Sequence, residues 1–202
     1  MRYLALGDSF TIGTGTTPDR SFPAVLVSAW WEAGIECDLR NPAVNGYTTD
    51  DLIREELPLV EAFAPDLVTV LIGANDIVAA LRERSAVTAV AEDRYRRQLR
   101  RIFERIVAGV PEARVFALPQ PDWSLTPGGS AFGDPATLAR SIERFNAIAR
   151  EECERAAGMY IDISPLMREQ MRTGMTAPDG LHPSAGAYWQ WAGALKEQLL
   201  GH

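Results

Sequence analysis

The sequence predicts an α/β fold, a three-layer α/β/α sandwich around a five-stranded parallel sheet, with residues 1–202 forming one domain. Three observations predict it. Short apolar runs of strand length alternate with segments of helical period from one end of the chain to the other. Five such runs and at least five such segments are present, as a parallel sheet with crossover helices requires. No internal repeat and no Ser- or Gly-rich linker breaks the alternation, and 202 residues is an ordinary length for one α/β domain.

The first strand covers residues 3–6, and a helix is expected over 22–33. Strand 36–40 runs into a turn from Asn41 to Gly46, and helix 49–63 follows. Pro65 precedes strand 67–72. In helix 91–108, Leu99, Ile102, Phe103 and Ile106 recur at helical spacing, so the arginines of the run Arg94–Arg101 form its solvated face. Pro111 follows that helix and leads to strand 114–118. Residues 119–135, with Pro121, Pro127, Gly128, Gly129 and Gly133, are too many for an ordinary strand-to-helix turn. They read either as a lid or substrate-binding loop or as a disordered surface insertion. Helix 136–156 stops at Gly158, strand 159–161 follows, and helix 184–200 closes the fold.

Composition narrows the function classes. Hydrophobic residues make up 47% and charged residues 23%, both ordinary for a globular protein. No apolar run approaches the roughly 20 residues of a membrane-spanning helix, so stable membrane insertion is not expected. A net charge of −7 repels a nucleic-acid backbone. The residues from Met1 to Gly7 read as a strand and not as a secretory signal, which points to the cytoplasm. Cys37 and Cys153 lack CxxC spacing, so reduced, packed thiols are expected rather than a metal knuckle. Trp30-Trp31 suits either a dimer face or a monomer with one tryptophan buried and one partly exposed.

Ligands of open α/β sheets bind beyond the carboxyl ends of the strands. Four segments there carry polar chemistry: Gly7-Asp8-Ser9-Phe10, the Asn41–Gly46 turn, Gly73-Ala74-Asn75-Asp76, and Asp179-Gly180-Leu181-His182 before the last helix. Each alone is a weak signal, because glycines make turns and Ser or Asn caps helices. Together they supply every part of an acyl-transfer site. A serine nucleophile needs a base within hydrogen-bond reach and a third group to orient that base. The chain has two histidines, and His202 is its last residue, so His182 is the candidate base. Asp179, in a turn flanked by Pro178, Gly180 and Pro183, is the candidate orienter. The backbone N–H groups of Ser9 and Gly46 and the side-chain amide of Asn75 are the candidate oxyanion donors. Trp123, Leu125 and Phe132 of the long loop are candidates for an apolar acyl wall.

In these blocks, in their order from Gly7 to His182, the chain resembles the SGNH hydrolases, also called GDSL esterases and lipases. The resemblance implies Ser9 as nucleophile, Gly46 and Asn75 in the oxyanion hole, and Asp179 with His182 completing a triad. It also implies a parallel five-stranded sheet between helices and no metal or organic cofactor. Two positions depart from the pattern: Phe10 stands in place of leucine, and Asn45 precedes the glycine where a small residue is common.

The expected function is hydrolysis of a carboxylic ester or thioester of a small molecule through an acyl-serine, with short acyl or acetyl groups preferred. The alternatives are lysophospholipase- or thioesterase-type activity on longer acyl chains, and a non-catalytic module that binds a carbohydrate or acyl ligand. Nucleotide binding at Gly13-Thr14-Gly15 is disfavoured, because Pro18 stands where the dinucleotide fingerprint has its last glycine and no Walker lysine follows. An α/β-hydrolase is disfavoured by the lack of a Gly-x-Ser-x-Gly elbow. Oligomeric state is not legible.

Overall fold

The computed structural model describes residues 1–84 and 87–200. Five parallel strands, β1 (Arg2–Gly7), β2 (Asp38–Arg40), β3 (Leu67–Leu71), β4 (Arg114–Ala117) and β5 (Met159–Tyr160), form one sheet in the order β2-β1-β3-β4-β5. The three central strands are apolar and almost wholly buried because helices cover both faces. β2 and β5, at the edges, are short and partly exposed.

The chain leaves β1 toward β2 on one side and returns through β3 on the other, so the direction of winding reverses between β1 and β3. Right-handed crossovers running in opposite directions place their helices on opposite faces. Accordingly, α2 (Phe22–Glu32) packs on α9 (Ala185–Leu200), and α6 (Ala89–Gly109) packs on α7 (Pro135–Arg155). The reversal opens a crevice beyond Gly7 of β1 and Leu71 of β3, which pair in register. The remaining helices are α1 (Ser9–Ile12), α3 (Thr49–Asp51), α4 (Pro58–Phe63), α5 (Ala74–Arg84) and α8 (Ser164–Arg172).

The α/β class, the parallel sheet and its five strands agree with the expectation. Three details differ. Helix 49–63 is not a uniform rod: α3 and α4 are joined by a π turn, Leu52–Glu56, in which Leu57 N–H reaches back to the Leu52 carbonyl at 3.0 Å. Pro58, with no N–H to give, sits at the restart of the α ladder. Three helices lie outside the expected ranges, the first of them the four-residue α1. α5 begins inside what reads as a site loop, and α8 starts at Ser164-Pro165 with proline in its first turn.

The long segment is folded, which decides against a disordered insertion. It carries 3-10 turns at Trp123–Leu125 and Gly128–Phe132. Trp123 is buried, with its ring N–H on Gln120 Oε1 at 3.1 Å. Of the tryptophan pair, Trp30 is buried and Trp31 is 55% exposed. Cys37 and Cys153 are free and buried. No helix among the described residues is long and apolar enough to cross a membrane. His202 lies outside the described residues.

Candidate active site

The first block turns sharply where β1 ends. A Cβ at Gly7 would lie 2.2 Å from the Leu71 carbonyl oxygen and 2.3 Å from Thr11 Oγ1, so this approach of chain to chain admits only glycine. Asp8 caps α1, its carboxylate accepting from Phe10 N–H at 3.0 Å. Ser9 is therefore the first residue of the helix and not its cap. The Ser9 hydroxyl opens on a cavity of about 390 Å³, shared with Gly46, Asn75 and His182.

Gly46 sits in a turn at φ 91°, a left-handed conformation that a side chain would strain. Its N–H makes no hydrogen bond within the described residues, and neither does that of Ser9. Asn75, second residue of α5, gives one amide N–H to the Tyr47 carbonyl at 2.9 Å, which leaves the other free. Next to it Asp76 accepts from Thr49 N–H at 3.0 Å and from the Thr49 hydroxyl at 2.5 Å. These bonds button the Asn75 block to the Gly46 turn, so the candidate oxyanion donors are held as one unit.

The last block is a tight antiparallel turn. Ala177 N–H bonds the His182 carbonyl at 2.7 Å, and Gly180 N–H bonds Ala177 at 2.9 Å. Inside it one Asp179 oxygen accepts from the N–H groups of Leu181 (2.9 Å) and His182 (3.0 Å), and the other stands 2.7 Å from His182 Nδ1. Partial burial raises the pKa of Asp179, but the hydrogen bonds from the His182 ring and from the two backbone N–H groups outweigh it and hold the carboxyl below its ordinary value. A carboxylate on Nδ1 leaves Nε2 as the acceptor. The His182 ring leans on Phe10, centroids 5.6 Å apart. Ser9 and His182 face the same cavity without a direct hydrogen bond among the described residues, a looseness common where no substrate is bound.

The long loop is tied to this turn through Gly128 N–H on the Gly180 carbonyl at 2.9 Å. It brings Trp123 and Phe132 to the cavity wall, where they meet edge to face with centroids 5.3 Å apart. Leu125 is a correction: it is 42% exposed and does not line the cavity, because the 3-10 turn that buries Trp123 points Leu125 outward. Gly15, part of the disfavoured nucleotide motif, packs against the turn that carries Asp179 and His182 instead. A Cβ there would fall 2.5 Å from Ala177 Cβ.

Around the serine lie three further carboxyl groups, Asp8 and Asp76 of the motif blocks and Glu56, which no motif in the sequence marks. Glu56, buried on the π turn, accepts from Gly7 N–H at 2.9 Å. Its Oε1 and the Oδ2 of Asp8 have no hydrogen-bond partner. Burial pushes Asp8 up to about 7, against the Phe10 N–H that lowers it, and Asp76 raises it further. Burial likewise pushes Glu56 up to about 8 despite the Gly7 N–H, with Asp8 adding to the rise. Asp76 is pushed to about 6 by burial, against its bonds to Thr49.

Fold and site define an α/β protein in which Ser9, Gly46, Asn75 and His182 line one cavity at the sheet's switch point, with Asp179 hydrogen-bonded to the His182 ring. The GDSL-like lipase/acylhydrolase family matches over residues 5–190, and the chain belongs to it, as the motif blocks lead one to expect. Over 75 residues, 37% of this chain and 38% of that protein, it is 33% identical to an arylesterase of Vibrio mimicus, so the match spans well under half of that relative. In structure it is similar to an acetylxylan esterase from Geobacillus stearothermophilus, with a TM-score of 0.77, 19% identity, and coverage of 100% of this chain and 94% of that one. It is also similar to a lipase/acylhydrolase from Enterococcus faecalis, with a TM-score of 0.74, 21% identity, and coverage of 98% and 94%. At these identities the structural likenesses establish the fold.

Proposed function

We propose that the chain hydrolyses carboxylic esters or thioesters of small molecules, preferring short acyl groups, through an acyl-Ser9 intermediate. The observation that carries this reading is the Asp179–His182 contact of 2.7 Å opening, with Ser9, onto one cavity. In the proposed cycle Ser9 Oγ attacks the carbonyl carbon while His182 Nε2 takes the hydroxyl proton. Asp179 fixes the tautomer and stabilises the imidazolium. The backbone N–H groups of Ser9 and Gly46 and the free amide N–H of Asn75 receive the oxyanion. His182 then passes its proton to the departing alcohol or thiol, and water, activated by the same ring, releases the acid.

Trp123, Phe132, Val78 and Leu181 supply apolar walls to a cavity suited to small acyl groups. The fold shared with an acetylxylan esterase is in keeping with a short acyl preference. The same reading places the enzyme in the cytoplasm, where the buried thiols Cys37 and Cys153 stay reduced.

The test is the initial rate on 4-nitrophenyl esters from acetyl to long acyl, for wild type and Ser9→Ala. Turnover that falls by about 10³-fold or more in the variant supports the acyl-serine route. A maximum at long acyl chains would favour a lysophospholipase-like role, and no serine-dependent turnover on any ester would favour a binding module.

A further inference from the structure

The cavity wall on the α5 side carries one unabsorbed feature, Arg82. Asn75, Val78, Ala79 and Arg82 all line the cavity. Their spacing of three, four and seven residues puts them on one face of α5. Arg82 therefore stands about 10 Å along the helix from the oxyanion amide, at 1.5 Å per residue. It is exposed, and no carboxylate of the described residues lies within ion-pair distance of it. Across the neighbouring hollow, Arg94 is by contrast paired with Asp50.

The cavity's lining holds no carboxylate at all, in a chain whose net charge is −7. The adjacent Glu83 lines a neighbouring hollow together with Asp50, Asp76 and Arg94. Thus α5 turns Arg82 to the active-site cavity and Glu83 to the neighbouring hollow. A guanidinium with no ion-pair partner among the described residues, lining a cavity free of carboxylates, is suited to bind a planar anion through paired N–H donors.

Resting on the esterase reading above, we propose that Arg82 is a specificity-determining residue and that the substrate is an ester bearing an anionic group, a carboxylate or phosphate, beyond the scissile bond. The anion can sit on the acyl part or on the leaving group, and two substrate pairs separate these. On the leaving side, 4-acetoxybenzoate is compared with its methyl ester. On the acyl side, mono-4-nitrophenyl adipate is compared with 4-nitrophenyl hexanoate. For each pair the ratio of kcat/KM, anionic over neutral, is measured for wild type, Arg82→Gln and Arg82→Lys.

Wild type is expected to favour the anion in one pair by about tenfold, as a charge-assisted contact permits. The ratio should fall to near one in Arg82→Gln, be partly kept in Arg82→Lys, and shrink for wild type as salt is raised. An anionic-to-neutral ratio that is the same in wild type and Arg82→Gln for both pairs overturns the proposal. Failure of the esterase reading itself looks different, since neither member of either pair would then show Ser9-dependent turnover.

Discussion

Two regions of the candidate site, one around Ser9 and one around His182, hold their carboxyl groups in opposite ways. Under the serine, Asp8 and Glu56 are fully buried, each has one oxygen bonded and one orphaned, and their pKa values rise to about 7 and about 8. Beside the histidine, Asp179 is partly open to solvent, both its oxygens are bonded, and its pKa falls. The difference teaches that a carboxyl near this site serves one of two ends. At 179 it is kept as a charge. At 8 and 56 it is kept as a compact polar strut that ties the β1 turn, at a cost in electrostatics when it ionises.

Making 179 neutral is the sharpest way to break that contrast. Asparagine retains an oxygen for the Leu181 and His182 N–H groups but offers Nδ1 an N–H, which favours the wrong tautomer of His182. For Asp179→Asn, kcat on an activated ester should drop by about 10⁴-fold with the thermal midpoint shifted by only a few degrees. A variant that keeps wild-type kcat would show that the 2.7 Å contact is structural alone.

The struts make the converse prediction, read in stability. Unfolded Asp and Glu titrate near pH 4, whereas Asp8 and Glu56 in the folded chain titrate near 7 and 8. Over the interval between, the folded state binds more protons than the unfolded one. Their contribution is therefore fully present below about pH 4 and is lost as pH rises toward 8. Glu56→Gln removes one such group. Urea denaturation at pH 5 and pH 9 should show the variant losing less stability than wild type across that range, by a few kcal/mol. Parallel curves would mean that Glu56 ionises as freely in the fold as in the unfolded chain.

The legible parts of the molecule are those written in local patterns. Alternation of apolar runs and helical periods predicts the sheet, and glycines at 7, 46 and 73 mark turns beyond its strands. Ser9, Asn75, Asp179 and His182 stand out because their residue types are chemically unusual at such positions. Glu56 does not stand out, because an acid in Leu52–Glu56 reads as the solvated side of a helix until the π turn rotates it inward. Nor does Thr49, whose partner Asp76 is 27 residues away. Leu125 misleads for a related reason: a 3-10 turn has a period that neither strand nor α-helix patterning anticipates.

A smaller effect probes the link between the two regions. Thr49→Val takes the hydroxyl from Asp76 but leaves the Thr49 N–H bond, so one oxygen of a half-buried acid loses its partner. A loss of about 1–2 kcal/mol in stability is expected. If the button also aims Asn75, kcat should fall by about tenfold with KM little changed, since an oxyanion donor acts in the transition state. An equal loss of stability with unchanged kcat would confine Thr49 to folding.

The smallest expected effect distinguishes the two faces of the long loop. Phe132 reaches the cavity and meets Trp123, whereas Leu125, two residues beyond Trp123, faces solvent. Phe132→Ala removes apolar wall from the cavity. It should raise KM for butyryl and hexanoyl esters several-fold more than for acetyl esters, because longer acyl groups bury more surface against the ring. Leu125→Ser changes only exposed surface and should leave kcat/KM within about twofold at every chain length. Opposite results, with position 125 controlling chain length and position 132 silent, would mean that the loop turns over in solution and presents its other face to substrate.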